Sequence, residues 1–284
     1  MNVLSLFDGM SCGQIALNKA GIKYDNYFAS EIKKHAIETT QINYPGTIQL
    51  GDITKINAGD LPKIDLLIGG SPCQDFSQAN TNRTGLKGVK SNLFFEYYRL
   101  LNECNPDYWL LENVIMLPEH YAILSNYMKT YPFETCGSLV SAAYRRRLFW
   151  TNIGPYYNDL FGFRHCDIPQ PNDKKIYLQD IIEDGYVCVK KSDSLLTKRE
   201  NYNNIKRVKK RYGKLPLGTI IFKDRTFTID ENIRNFYQVE LERLHNIPEG
   251  YTNNLTVNKA HDLIGDGWTV DIIVHILKYL KTNT

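Results

Sequence analysis

The 284-residue chain reads as a doubly wound α/β protein with a small irregular insertion. Three observations point there. Strand-like apolar runs alternate with helical periodicity over residues 1–153. Between about 155 and 235 the pattern dissolves into Tyr-, Asn-, Lys- and Gly-rich sequence, and helical periodicity then returns at 236–245 and 268–280.

Taken in order, Val3–Phe7, Tyr24–Ala29, Ile64–Ile68, Tyr108–Leu111 and Leu148–Ile153 read as strands. Residues 13–20, 32–43, 92–103 and 118–130 read as the helices between them, the pattern of a parallel sheet covered on both faces. Inside the insertion, Thr219–Phe222 and Thr226–Ile229 are short strand candidates. Phe236, Leu241 and Leu244, and then Val270, Ile273, Val274, Leu277 and Leu280, mark two apolar helix faces. The expected organisation is a first domain over 1–153, an inserted domain over 154–235, and a segment 236–284 that completes the first domain.

Composition narrows the class of protein. With 43% apolar and 12% aromatic residues the chain can bury a large core. It contains no apolar stretch near the roughly 18 to 20 residues of a membrane span, and no basic leader precedes the first strand, so a cytoplasmic, membrane-free protein is expected. Cys12, Cys73, Cys104, Cys136, Cys166 and Cys188 are scattered without metal-ligand spacing, which supports neither a zinc site nor a disulfide framework. The net charge of +3 conceals an asymmetry: residues 190–225 hold 12 Lys/Arg against 3 Asp/Glu. Within that stretch Lys206-Arg207-Val208-Lys209-Lys210-Arg211-Tyr212 mixes cations with an aromatic ring. This suits either a solvated charged face or a surface for phosphates and bases.

The strand ends carry the chemistry. Gly69-Gly70-Ser71-Pro72-Cys73-Gln74 presents a thiol just beyond one strand, and Leu110-Leu111-Glu112-Asn113 delivers a carboxylate beyond the next. After the first strand, Phe7-Asp8-Gly9-Met10-Ser11 is a turn that lets a ligand approach the backbone, yet it lacks the second glycine of a dinucleotide fingerprint. Glu31 stands where an acid accepts hydrogen bonds from ribose hydroxyls, and Asp52 could accept from an adenine amino group. Together they describe an adenosine crevice without a phosphate cradle, which favours S-adenosylmethionine over a dinucleotide.

Phe7-Asp8-Gly9, Glu31, Gly51-Asp52-Ile53, Ser71-Pro72-Cys73-Gln74, Glu112-Asn113-Val114, Arg145-Arg146-Arg147 and Gly265-Asp266-Gly267-Trp268-Thr269-Val270 occur in the order of the motifs of DNA (cytosine-5) methyltransferases. The chain resembles that family over nearly its whole length. Ser5–Gly13, Gly69–Ser77, Leu93–Leu101 and Ser141-Ala142-Ala143 are most similar to the catalytic domain of the animal de novo enzymes, and the shortness of the chain resembles a phage or bacterial member. Ser11 stands where many members have glycine, Ala143 where many have glutamine, and Gly265-Asp266 where Gly-Asn is common.

The resemblance implies a class I S-adenosylmethionine-dependent methyltransferase fold with an inserted target-recognition domain, acting on double-stranded DNA and releasing S-adenosylhomocysteine. It makes Cys73 the nucleophile on C6 of a flipped cytosine, with Glu112 at N3, Arg147 at O2 and Arg145 in support. It assigns the cofactor to Phe7, Asp8, Gly9, Met10, Ser11, Glu31, Ile32, Asp52, Ile53, Pro72, Leu93, Trp268, Thr269 and Val270. Ser77 and residues 78–91 correspond to the loop that closes over the extruded base. Lys198, Arg199, Lys209 and Lys210 become DNA contacts. Rival readings are an RNA (tRNA) cytosine-5 methyltransferase and a catalytically silent DNA-binding regulatory homologue. The oligomeric state and the recognition sequence do not follow from the resemblance.

Overall fold

Asn2–Leu6, fully apolar but for Asn2 and Ser5, forms the buried central strand β1 of a computed structural model that describes residues 1–72, 92–183, 186–187, 191–193, 219–222, 226–229 and 236–280. Two units follow from the contacts: Met1–Thr135 with Arg146–Gln170 and Ile272–Thr284, and Cys136–Arg145 with Pro171–Asp271. The sequence had placed the borders near 153 and 235. In the contact map the stretch 146–170 goes with the first unit and 236–271 with the second.

In the first unit β1 is followed by α1 (Cys12–Lys19), β2 (Asn26–Ser30), α2 (Lys34–Asn43), β3 (Ile48–Gln49) and β4 (Leu66–Gly70). Then come α3 (Asn92–Cys104), β5 (Tyr108–Val114), α4 (Pro118–Met128), β6 (Thr130–Tyr131) and β7 (Phe133–Cys136). After the two-residue β8 (Ala143–Tyr144) of the second unit, the chain returns as β9 (Arg146–Thr151), β10 (Tyr156–Asn158) and β11 (Arg164–Cys166). The main sheet has the order β3-β2-β1-β4-β5-β9-β7. The chain steps outward from β1 to β3 and re-enters on the other side at β4, so a crevice opens beyond the ends of β1 and β4, where successive connections diverge.

The first five strands of that order, β3 to β5, are parallel, as the alternation with helices requires. The strand expected at Leu148–Ile153 is present but runs antiparallel to β5, with Leu111 opposite Trp150 and Val114 opposite Arg147. This corrects the all-parallel expectation. Both faces of that strand are buried at 148–151, and such a run looks the same in either direction.

Packing explains the central strands. Leu4, Leu6, Leu67, Leu111 and Trp150 from the sheet meet Phe94, Tyr97 and Leu100 of α3 in one buried cluster. Each such side chain contributes about 1.5–3 kcal/mol when removed from water. Gly69 is needed at the close approach: a Cβ there would lie 2.9 Å from the Leu6 carbonyl oxygen and 3.2 Å from the Tyr97 ring. Pro118 opens α4, where a missing N–H costs nothing.

The second unit holds β12 (Tyr186–Val187), β13 (Ser192–Asp193), β14 (Thr219–Phe222), β15 (Thr226–Ile229), α5 (Gln238–Leu244) and α6 (Val257–Asp266). Its two strands expected at 219–222 and 226–229 form an antiparallel pair. Buried carboxylates order its turns: Glu242 accepts from the Gly250 and Thr252 amides, and Glu240 from those of Tyr237 and Glu183. The Lys191 ammonium donates to the Ser138 and Ser141 carbonyls. Helix α6 is absent from the sequence expectations because only Ala260, Leu263 and Ile264 give it a buried face. The last helix, α7 (Val270–Leu277), lies within the expected 268–280. No helix among the described residues is long and apolar enough to cross a membrane.

Tyr97 supplies a test of this core. Its side chain is fully buried and its hydroxyl has no hydrogen-bond partner among the described residues. An unmet buried donor costs about 1–3 kcal/mol, so Tyr97→Phe should stabilise the fold by about 1 kcal/mol in chemical denaturation. A loss of stability would show that the hydroxyl is satisfied.

Candidate active site

The connection from β1 to α1 turns sharply. Phe7, Gly9 and Ser11 all take left-handed backbone conformations, which for Phe7 and Ser11 cost about 1 kcal/mol or more each and need outside support. Asp8 supplies it from within. Its amide donates to the Ser30 carbonyl at 3.0 Å, and its buried carboxylate accepts from Ser11 Oγ at 2.6 Å and from the Tyr27 hydroxyl at 2.8 Å. Met10 and Ser11 also point inward and are buried, so this loop presents mainly its backbone outward.

Glu31, just past β2, accepts from the Gly9 amide through Oε2 at 2.8 Å, and through Oε1 from the amides of Ile32 and Lys33. Ser30 Oγ reaches the Gly51 carbonyl at 2.8 Å, tying this strand end to the next turn. There Asp52 caps the turn Ile53–Lys55 by accepting from the amide and hydroxyl of Thr54, bonds that hold its carboxyl below the usual range. Ile53 is buried in the core, and its carbonyl accepts from Arg99 of α3 at 3.2 Å.

An adenosine-type ligand fits these residues. A Cβ on Gly9 or Gly51, both left-handed, would meet nothing within 4 Å, so ligand atoms have room against the backbone at both turns. Ile32 is 72% exposed beside Glu31 and offers an apolar face for a base. Glu31 retains acceptor capacity for hydroxyls, because Oε2 holds a single amide.

The second half of the site lies across the sheet. Gly70 of β4 is in register with Glu112 of β5. Just beyond, buried Asn113 donates to Ser71 Oγ at 2.9 Å and fixes where the chain leaves β4 toward half-buried Pro72. Arg147 at the start of β9 places Nε 2.8 Å from Glu112 Oε1, and both side chains are largely buried. An acid and a cation thus converge at the mouth of the sheet beside the Ser71–Pro72 exit. Leu93, in the first turn of α3, is half-buried. Cys73, Ser77, Lys198, Arg199, Lys209 and Lys210 lie outside the described residues.

Comparison with known proteins places the first part of the chain. Residues 1–137, which hold the Phe7–Ser11 turn, Glu31, Asp52 and Glu112, match the family described as C-5 cytosine-specific DNA methylase. These residues belong to that family. The chain is 34% identical over 205 residues to the orphan methyltransferase M.Rho11sI of Bacillus phage rho11s, covering 70% of this chain but only 37% of the phage protein. It is 27% identical over 304 residues to the type II methyltransferase M1.ScrFI of Lactococcus lactis subsp. cremoris, covering 95% of this chain and 75% of that one. The crystal structure of S. pombe Dnmt2 methyltransferase superposes with a TM-score of 0.66 at 18% identity, over 99% of this chain and all of that one. That likeness bears on the fold, which is the class I methyltransferase fold expected.

Arg145, Trp268, Thr269 and Val270, expected at the site from the sequence, belong to the second unit. Arg145 is buried there and donates through Nη2 to the Gly267 carbonyl at 2.8 Å. Thr269 is buried with no hydrogen-bond partner for its hydroxyl among the described residues; Gly137 lies so close that a Cβ would come within 2.8 Å of Thr269 Oγ1. The Val270 amide donates to the His245 carbonyl, and Trp268 is half-buried.

Sequence reasoning missed Tyr27, Gln14 and Arg99 as supports of this site and gave Asn113, quoted in the motif Glu112-Asn113-Val114, no role of its own. Only Asn113, adjacent to Glu112, carried a local signal. The other three act through contacts 19 to 46 positions away in the chain.

Burial pushes the Asp8 carboxyl up from its ordinary 3.8 to about 6, against the opposing bonds from Ser11 and Tyr27. A raised acid favours the fold while protonated, so this contribution is complete below pH 3.8 and is lost as pH rises through about 6. Asp8→Asn, which stays neutral, should therefore gain stability over the wild type by about 2 kcal/mol between pH 4 and pH 8. Urea denaturation of both proteins across that range measures it, and a constant difference would show that Asp8 does not titrate there.

Proposed function

We propose that the chain transfers a methyl group from S-adenosylmethionine to C5 of a cytosine extruded from double-stranded DNA, through a covalent bond between Cys73 and C6. The observation that carries this reading is the Glu112–Arg147 pair at the mouth of the sheet, beside the exit that leads to Cys73. Cytosine C5 is a weak nucleophile. Addition of the Cys73 thiolate to C6 makes it enamine-like and sends negative charge onto N3 and O2. Glu112, after taking up a proton as the base edge displaces Arg147 from it, donates that proton or a strong hydrogen bond to N3, and Arg147 places a cation at O2.

Without substrate the two groups serve as each other's counter-ion, so neither is an unpaired charge in a largely buried place. Entry of the base edge exchanges that contact for two new ones. When bound, S-adenosylmethionine supplies an electrophilic methyl group on sulfur. Glu31 would hold its ribose hydroxyls, Ile32 one face of its adenine, and the backbone at Gly9 its approach to the loop. Once C5 carries the methyl group, loss of the C5 proton expels Cys73 and restores the ring.

Cys73 cannot reach C6 inside a stacked duplex, so the base must leave the helix. The basic segment 190–225 suits the phosphates that such an operation requires. The family described as C-5 cytosine-specific DNA methylase, matched over residues 1–137, supports DNA as the substrate.

Duplex DNA containing 5-fluorocytosine should trap the protein covalently in the presence of S-adenosylmethionine, since fluorine does not leave as a proton does. The adduct, read as a shifted band under denaturing conditions, should vanish in Cys73→Ala. An adduct that survives that substitution, or labelling of tRNA in preference to DNA, overturns the reading. Glu112→Gln should lower kcat by about 10²–10⁴-fold with little change in cofactor affinity. Single-turnover methylation beside calorimetric titration separates the two effects.

A further inference from the structure

Beneath the Phe7–Ser11 loop lies a chain of buried polar groups that the methyl-transfer chemistry does not use. The Tyr27 hydroxyl donates to Asp8 Oδ1, and Ser11 Oγ to Asp8 Oδ2. Gln14 Nε2 lies 2.9 Å from Ser11 Oγ and 2.8 Å from Thr47 Oγ1, while its Oε1 accepts from the Tyr24 hydroxyl at 2.8 Å. Two hydroxyls meet at the carboxylate itself, Tyr27 from β2 and Ser11 from the start of α1, and Gln14 extends the chain from Ser11 to Tyr24 before β2 and to Thr47 after α2. Tyr27 reaches Asp8 only because residue 13 is glycine, whose Cβ would lie 2.4 Å from the tyrosine oxygen.

We propose that Tyr27 is a positioning residue for the cofactor: clamped onto Asp8 through the gap at Gly13, it holds the Phe7–Ser11 loop in the left-handed conformation that aims the Gly9 amide at Glu31. The proposal rests on the cofactor site described above. Phe7 and Ser11 are strained in that conformation; Glu31 and Thr40 hold Gly9 at its amide and its carbonyl, whereas Asp8 bonds Ser11 itself and is gripped from beneath by Tyr27. The restraint on Ser11 therefore comes from below. The Gly9 amide orients Glu31 Oε2, so a shift at Asp8 passes through one peptide to the acid that meets the ribose.

The clamp also makes the site sensitive to protonation. Asp8 accepts from both hydroxyls as a carboxylate, and a proton on it takes one acceptor position away. Around it, β2 and its flanks present Tyr27, Tyr24 and Glu31, while α1 presents Ser11 and Gln14, which do not titrate. Burial holds Tyr27 well above 10 and pushes Tyr24 up to about 12, so both stay neutral where Asp8 changes state.

Calorimetric titration of S-adenosylhomocysteine into the full chain at pH 5 to 7.5 tests this, with Tyr27→Phe and Asp8→Asn beside the wild type and near-ultraviolet dichroism to confirm folding. Wild-type affinity should fall as pH drops through about 6. Tyr27→Phe keeps the ring but loses one charge-assisted bond, so it should bind about tenfold more weakly at pH 7.5. Its pH midpoint should move upward, because the hydroxyl that favoured the ionised acid is gone. Asp8→Asn should bind with no step in this range. A Tyr27→Phe protein that binds with wild-type affinity and an unmoved midpoint overturns the positioning role while leaving the cofactor site standing. A wild type that binds at no pH overturns the cofactor site itself, and the role with it.

Discussion

Everything at the mouth of this protein depends on one reversal in the order of its strands. The chain builds β1, β2 and β3 outward, then crosses back to lay β4 on the free side of β1. Connections leaving β1 and β4 must diverge, and they open a crevice at the strand ends. The sharp turns this demands explain the left-handed residues after β1 and the glycine in β4, where the Leu6 carbonyl and the Tyr97 ring leave no space for a side chain.

That geometry sorts the acids by environment. Asp8 faces inward and pays for burial, while Asp52 is half-buried and satisfied by its own turn. Glu31 spends both oxygens on amides, one of them across the crevice at Gly9. The three had looked alike as carboxylates near strand ends. Only their neighbours separate a support beneath the loop from groups that can meet a ligand.

Glu112 and Arg147 show a different economy. They come from strands 35 positions apart in the chain, joined because β9 runs antiparallel to β5 and brings its first residues back to the end of that strand. Had β9 been parallel, as the alternation of elements suggested, its beginning would lie at the opposite edge of the sheet from Glu112. The reversal is thus what makes the acid and the cation a pair, each neutralising the other.

Local pattern was enough for much of this. Alternating apolar runs and helical faces revealed five strands and four helices of the first 153 residues to within a few positions, since each advertises its own buried side, while the short strands β3, β6, β7 and β8 went unread. The motif order Phe7-Asp8-Gly9, Glu31, Asp52, Glu112 pointed to the family through chemistry that tolerates few residue types. Helix α6 stayed hidden behind three apolar positions, and the direction of β9 behind burial on both faces. The unit borders, the pairing of Arg147 with Glu112 and the reach of Tyr27 through the gap at Gly13 belong to tertiary structure alone. Each depends on which distant segments touch, and a one-dimensional pattern records what a residue prefers without recording what it meets.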